Sequence, residues 1–146
     1  MAINPTVGTR TSLTVTGLST LASATYVLSN AVTPDTNNPV DVIIEVILAT
    51  TNTPTGNKQV VVFIKPSLDG TNYTSGPESG TTTTDEPDLI RLGTIPVNSS
   101  SVDHKIMFSI GQALGFVPHT FKLVFKNELG VALTSASVYY SEITIP

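Results

Sequence analysis

Two histidines, eleven carboxylates and the hydroxyls of a threonine-rich chain are the groups in this sequence that could serve as acids, bases, ligands or nucleophiles. Catalysis requires such groups to converge on one point. His104 and His119 stand far apart in sequence, with no carboxylate at a ligand-like spacing from either, so neither metal binding nor general base chemistry is expected of them. The acidic trio Asp85, Glu86 and Asp88 offers the hard oxygen ligands that calcium takes. It lacks the glycine-spaced alternation of a calcium loop and is interrupted by Pro87, so it reads as a solvated loop. Asp69-Gly70 is ordinary turn chemistry. Asn72-Tyr73-Thr74 and Asn98-Ser99-Ser100 match the glycosylation pattern, a frequent coincidence in a chain rich in Ser and Thr. With no cysteine there is no thiolate zinc site, cysteine nucleophile or disulfide framework. Neither a Gly-x-Ser-x-Gly elbow, nor a phosphate loop, nor a glycosidase-like carboxylate pair is present. The expectation is a protein that is not an enzyme and that carries no metal or cofactor.

The elements around these groups point to a sheet protein. Of 146 residues, 23 are Thr, 16 Val and 11 Ile, and side chains branched at Cβ pack well on a pleated sheet while losing χ1 freedom in a helix. The length suits one domain with a substantial core. Seven Lys and Arg spread thinly through a chain of net charge −4 give no basic stripe for phosphates, so nucleic acid is not an expected partner. The longest uncharged apolar run, residues 60–64, is far short of the ~18 residues that span a bilayer, and the opening Met1-Ala2-Ile3-Asn4-Pro5-Thr6 lacks the charged and apolar regions of a secretory signal. A soluble, unprocessed chain with no membrane partner is expected. Only 12% of the residues are charged, against about 25% in an average domain, so the surface must be Thr, Ser and Asn or be covered by a partner.

Alternation places strands at 12–16, 24–32, 40–49, 58–65, 89–97, 104–110 and 121–126, with one or two more in 131–145, and a helical turn or corner in 111–120. About eight strands separated by turns of unequal length predict an all-β, single-domain, jelly-roll-like antiparallel β-sandwich over residues 12–146, preceded by an N-terminal arm over 1–11. Residues 33–39 and 75–88, rich in turn formers, read as loops, the second outside the core. Two strands are apolar on both faces: 40–49, with Ile43 and Ile47 beside Asp41 and Glu45, and 58–65, with Val61 and Phe63 opposite Val60, Val62 and Ile64. A strand buried on one side alone does not need the second set, so Ile43, Ile47, Val61 and Phe63 are the candidate surface for a neighbouring subunit or partner. Within the arm, Ile3, Asn4, Pro5, Val7 and Arg10 are candidates for a reaching contact.

Several segments carry a resemblance: Leu21-Ala22-Ser23-Ala24-Thr25-Tyr26, Gly56-Asn57-Lys58-Gln59-Val60-Val61-Val62-Phe63, Ser67-Leu68-Asp69-Gly70-Thr71-Asn72-Tyr73, Leu92-Gly93-Thr94-Ile95-Pro96, Phe121-Lys122-Leu123-Val124-Phe125-Lys126-Asn127 and Ser137-Val138-Tyr139-Tyr140. Together, over residues 18–142, the chain resembles virion structural proteins of tailed bacteriophages. The resemblance implies a capsid decoration (cement) protein, a small jelly roll assembled in the host cytoplasm that binds the outer surface of the head. It also implies the major capsid protein as partner and a homo-oligomer, a trimer ahead of a dimer. It transfers no catalytic residue. A tail or baseplate component would use the same kind of sandwich at low copy number. A carbohydrate-binding module would place aromatics on a concave face, with Asp69 or Asn72 as polar sugar contacts; there is no Trp here, and four Tyr.

Overall fold

The computed structural model describes residues 3–34 and 38–146; Met1 and Ala2 of the expected arm, and Asp35, Thr36 and Asn37 of the 33–39 turn, lie outside the described residues. Nine strands are present among the described residues: β1 (Thr6–Val7), β2 (Thr11–Ser12), β3 (Tyr26–Leu28), β4 (Asp41–Ala49), β5 (Gln59–Ser67), β6 (Ile90–Pro96), β7 (His104–Ser109), β8 (Thr120–Asn127) and β9 (Ser135–Thr144). A single short helix, α1 (Ile110–Leu114), follows β7. All pairings are antiparallel, and the strands form two sheets. In the first, β7 pairs β4, β4 pairs β9, and β1 and β2 share the far edge of β9; in the second the order is β3-β8-β5-β6. Early strands therefore pair late ones in both sheets while the chain passes back and forth between them, which is the jelly-roll arrangement.

The core lies between the inward rows. Val42, Ile44, Val46 and Leu48 of β4 are fully buried, facing Val60, Val62 and Ile64 of β5 and Phe121, Leu123 and Phe125 of β8. Residues two apart share a face of a pleated strand, so these three rows are the alternation of the sequence made physical. In β6 an extra residue, Leu92, bulges the ladder where the register shifts between Val62 and Phe63. The adjacent Gly93 leaves room for the Phe108 ring, which a Cβ there would strike. The sandwich is thereby closed along its β6–β7 side.

Several expected strands are shorter than their alternation, and hydrogen bonding explains why. The 24–32 run is regular only over β3, because the Ser29 hydroxyl takes the Leu123 N–H (2.8 Å) that a ladder carbonyl would otherwise accept. Pairing resumes as one bridge between Val32 and Phe121. The 12–16 run reduces to β2 as the chain turns, with Leu18 N–H donating to the Val15 carbonyl. In the last run β9 begins at Ser135, after Leu133, whose N–H donates to the Leu21 carbonyl rather than to β4. Buried Asn127 ties that corner together, its amide donating to the Leu21 and Val131 carbonyls and its oxygen accepting the Leu129 N–H. The expected turn in 111–120 is α1, with Ile110, expected as strand, as its first residue. The Ser109 hydroxyl caps it by accepting the Gln112 N–H, and the Asp41 carboxylate accepts the Gly111 N–H at 2.7 Å.

Of the arm expected over 1–11, Thr6, Val7 and Thr11 pair with the chain's own β9. Thr6 and Val7 pair with Thr144 and Ile143, and Gly8 N–H donates to the Glu142 carbonyl. Ile3, Asn4 and Pro5 precede that pairing and are exposed.

Candidate docking surface

The outward rows of the two sheets end in different environments. On the first sheet, β4 presents Asp41, Ile43, Glu45 and Ile47; Tyr139 of β9 and Met107 of β7 flank Glu45 in register, and Ser141 and Ser109 flank Ile43. Val7 lies beside Ile143 at the β1 edge. Val7 and Met107 are 68% and 61% exposed, large apolar side chains standing in water on a sheet face. Between them runs a groove of about 380 Å³ lined by Val7, Ile43, Met107, Tyr139 and Ile143. Arg10 closes one side: its guanidinium carbon lies 3.3 Å from the Tyr139 ring centroid, and its Nε donates to Glu45 Oε1 at 3.0 Å. Arg, Tyr and Met are the residue types enriched where proteins meet proteins.

On the second sheet the outward row is enclosed. Val61 and Phe63 are 3% and 4% exposed, packed with Tyr26, Val124 and Leu89 in a second apolar cluster. Expected as a surface for another subunit, this pair is instead covered by the protein's own chain. The cover comes from residues 74–89, which cross the face as a strap. Its Gly80 carbonyl accepts the Tyr26 N–H at the edge strand β3, and the chain then returns to β6. The segment expected as a solvated loop therefore lies down on the sheet. Gly76, at φ +117°, presses against Leu89; a Cβ there would lie 2.5 Å from the Leu89 side chain.

Ionic contacts fasten the strap at two places. Lys65, opposite Lys122 on the neighbouring strand, turns its ammonium to Glu78 and to the Gly76 carbonyl, while Lys122 sits 4.4 Å from the Tyr73 ring centroid. Two like charges in register are thus drawn to separate partners. Further along, Glu86 accepts from the Tyr26 hydroxyl and from Lys126, which also pairs with Glu128 at 3.2 Å. Burial pulls the Lys126 ammonium down, but Glu86 and Glu128 outweigh it and hold the group above the ordinary lysine value. Burial pushes the Glu128 carboxyl up, and the amides of Gln59 and Asn57 with Lys126 overcome this, leaving it below the usual range. Burial, with Glu86 beside it, raises the Tyr26 phenol. Of the acidic trio, then, Glu86 is a fastener, while Asp85 and Asp88 stay exposed.

The other candidate groups separate. His104 begins β7 and contacts the Ser99 carbonyl at 3.2 Å; His119 precedes β8, beyond the opposite end of β7. Among the described residues no group of three His, Asp or Glu lies together as a metal site would require. Asp69 and Asn72, the polar groups of the sugar-binding alternative, are bonded to each other at 2.6 Å.

Ile43 and Ile47 share the open face, Val7 and Arg10 border it, and Val61 and Phe63 belong to the covered one. Alternation alone left Met107, Tyr139 and Ile143 unmarked. Their signal was a large apolar or aromatic residue on the polar parity of its strand. Against known proteins, the chain matches no protein-family model and no curated protein.

Proposed function

We propose that the protein is a structural virion protein, a capsid decoration protein of a tailed bacteriophage that binds the outer surface of the head through the open face of its first sheet. One observation carries the reading. The molecule covers one of its two apolar outer faces with its own strap and leaves the other open, with Val7 and Met107 exposed beside half-buried Ile43 and the Arg10–Tyr139 stack. A partner is the physical complement of such a face.

The size of the face suits a multivalent clamp. Five strands, four abreast because β1 and β2 share one edge, with the central β4 nine residues long, give a face of roughly 600 Å² from ordinary strand spacings. Stable specific pairs bury about 800 Å² on each partner, so one copy binds weakly. A homo-oligomer, a trimer in this reading, gains from effective concentration once its first face is seated on the major capsid protein. Preferential binding to the expanded shell then stabilises that state by mass action.

The test is the copy number of this chain in purified virions, measured by quantitative mass spectrometry against the major capsid protein. Copies comparable with the capsid protein are expected. A handful would move the protein to the tail or baseplate, and none would overturn a virion role.

A further inference from the structure

A second recess, separate from the open face, lies at the end of the sandwich where β5 leaves the second sheet. It measures about 380 Å³ and is lined by Pro66, Leu68, Asp69, Tyr73, Thr74 and, from the segment after α1, Phe116. Leu68 is 88% exposed and Phe116 51% exposed, so two large apolar side chains stand in water at its rim.

The turn that holds Leu68 is internally braced. The Ser67 hydroxyl accepts the Gly70 N–H at 3.0 Å, and Asp69 Oδ1 accepts the N–H groups of Thr71 and Asn72, each at 2.8 Å, with the Ser67 hydroxyl donating to the same oxygen at 3.0 Å. Asp69 Oδ2 accepts from the Asn72 side-chain amide, and Tyr73 bridges back to Ser67. A shape fixed before contact loses little entropy on binding.

Charge selects the occupant. Asp69 carries no ion pair among the described residues, although Glu45, Glu78, Glu86 and Glu128 all have one. The Asn72 and Thr71 N–H groups hold its carboxyl far below the usual range, so it stays anionic at any ordinary pH. Three donors crowd Oδ1 while Oδ2 accepts one, which leaves acceptor capacity on the outer oxygen. An apolar recess with a fixed anion among its lining residues, in a chain of net charge −4, complements a long aliphatic stem that ends in a cation.

We propose that this recess is a docking site for a basic side chain, arginine or lysine, presented by a protein partner, its stem along Leu68 and Phe116 and its charged head at Asp69. This site does not depend on the virion reading.

The experiment titrates the full-length chain with Nα-acetyl-arginine amide and with its neutral isostere Nα-acetyl-citrulline amide, following backbone amide shifts. Saturable shifts are expected at Leu68, Asn72, Tyr73 and Phe116, with citrulline about two- to fivefold weaker, as the loss of an exposed ion pair implies. Asp69→Asn keeps an oxygen for the Thr71 and Asn72 N–H groups but removes the charge, and should bring arginine down to the citrulline affinity. Phe116→Ser should abolish both. Equal affinity of arginine and citrulline for the unmodified protein, shifts confined to other surfaces, or no saturable shift would each overturn the proposal.

Discussion

The two outer faces of this sandwich begin from similar chemistry and end differently. Ile43 and Ile47 on β4, and Val61 and Phe63 on β5, are the same kind of departure from simple alternation, apolar residues on the parity that should meet water. On β5 the next connection is long enough to fold back, and it supplies Leu89 for the apolar cluster and Glu78 and Glu86 for the lysines. On β4, among the described residues, Arg10 is laid over Tyr139 and Met107 stays exposed. The connections therefore decide whether an apolar outward row is covered internally or left open.

Substitutions that treat the two faces alike should separate them most strongly. Phe63→Ala removes a ring from a closed cluster and should cost about 3–4 kcal/mol of unfolding free energy in urea melts, whereas Met107→Ala, on the open face, should stay within about 0.5 kcal/mol. Comparable losses would dissolve the distinction between the faces. Next in size, Ile43→Lys combined with Met107→Lys should weaken binding to purified capsids by about tenfold or more in sedimentation assays while the melting profile is retained. Unchanged capsid binding would remove the open face from the proposed function.

The smallest effect concerns the strap's fastener. Glu128 is held below its ordinary value of 4.5, so its contribution is present above that value and lost as pH falls through its folded pKa. Lys126 is held above its ordinary value of 10.5, so its contribution is present below that value and lost as pH rises through the folded one. Stability from the pair should be level between about pH 5 and pH 10 and decline on both sides. In Lys126→Met both declines should shrink in urea melts taken across that range; an alkaline decline of undiminished size would place its origin elsewhere.

The strands were legible where side chains alternate cleanly against a continuous core. Residues 40–49 and 121–126 match β4 and β8 to within a residue or two, because Val42, Ile44, Val46 and Leu48, or Phe121, Leu123 and Phe125, can satisfy that spacing in no other way. The number of strands and their unequal connections pointed to a sandwich or jelly roll, while the strand order itself is set by pairings distant in sequence. The strap was not legible. Gly80 and the four threonines after it have the composition of a solvated loop, and what pins the segment is Glu86 meeting Tyr26, sixty residues earlier, and Lys126, forty residues later. Pairings at that distance leave no periodic trace. Where the expected arm docks was hidden for a similar reason: its pairing through Thr6, Val7 and Thr11 and its one stacked arginine are set by β9 and β4, not by the arm's own sequence. Of the candidate surface, Ile43 and Ile47 were legible as outward apolar residues, while the contrast with Val61 and Phe63 required knowing where the strap runs.

The bond from Tyr26 N–H to the Gly80 carbonyl has a consequence for how many copies can be kept close together. β3 is the margin of its sheet, and a margin with free amides is a template on which a second chain can add a strand and begin aggregation. The strap takes up that donor and lays an irregular, glycine-bearing segment alongside, so the same polypeptide that hides Phe63 also blocks ribbon growth at this margin. The result is a sandwich with one open apolar face and one guarded rim, where the addition of a second chain along β3 is hindered.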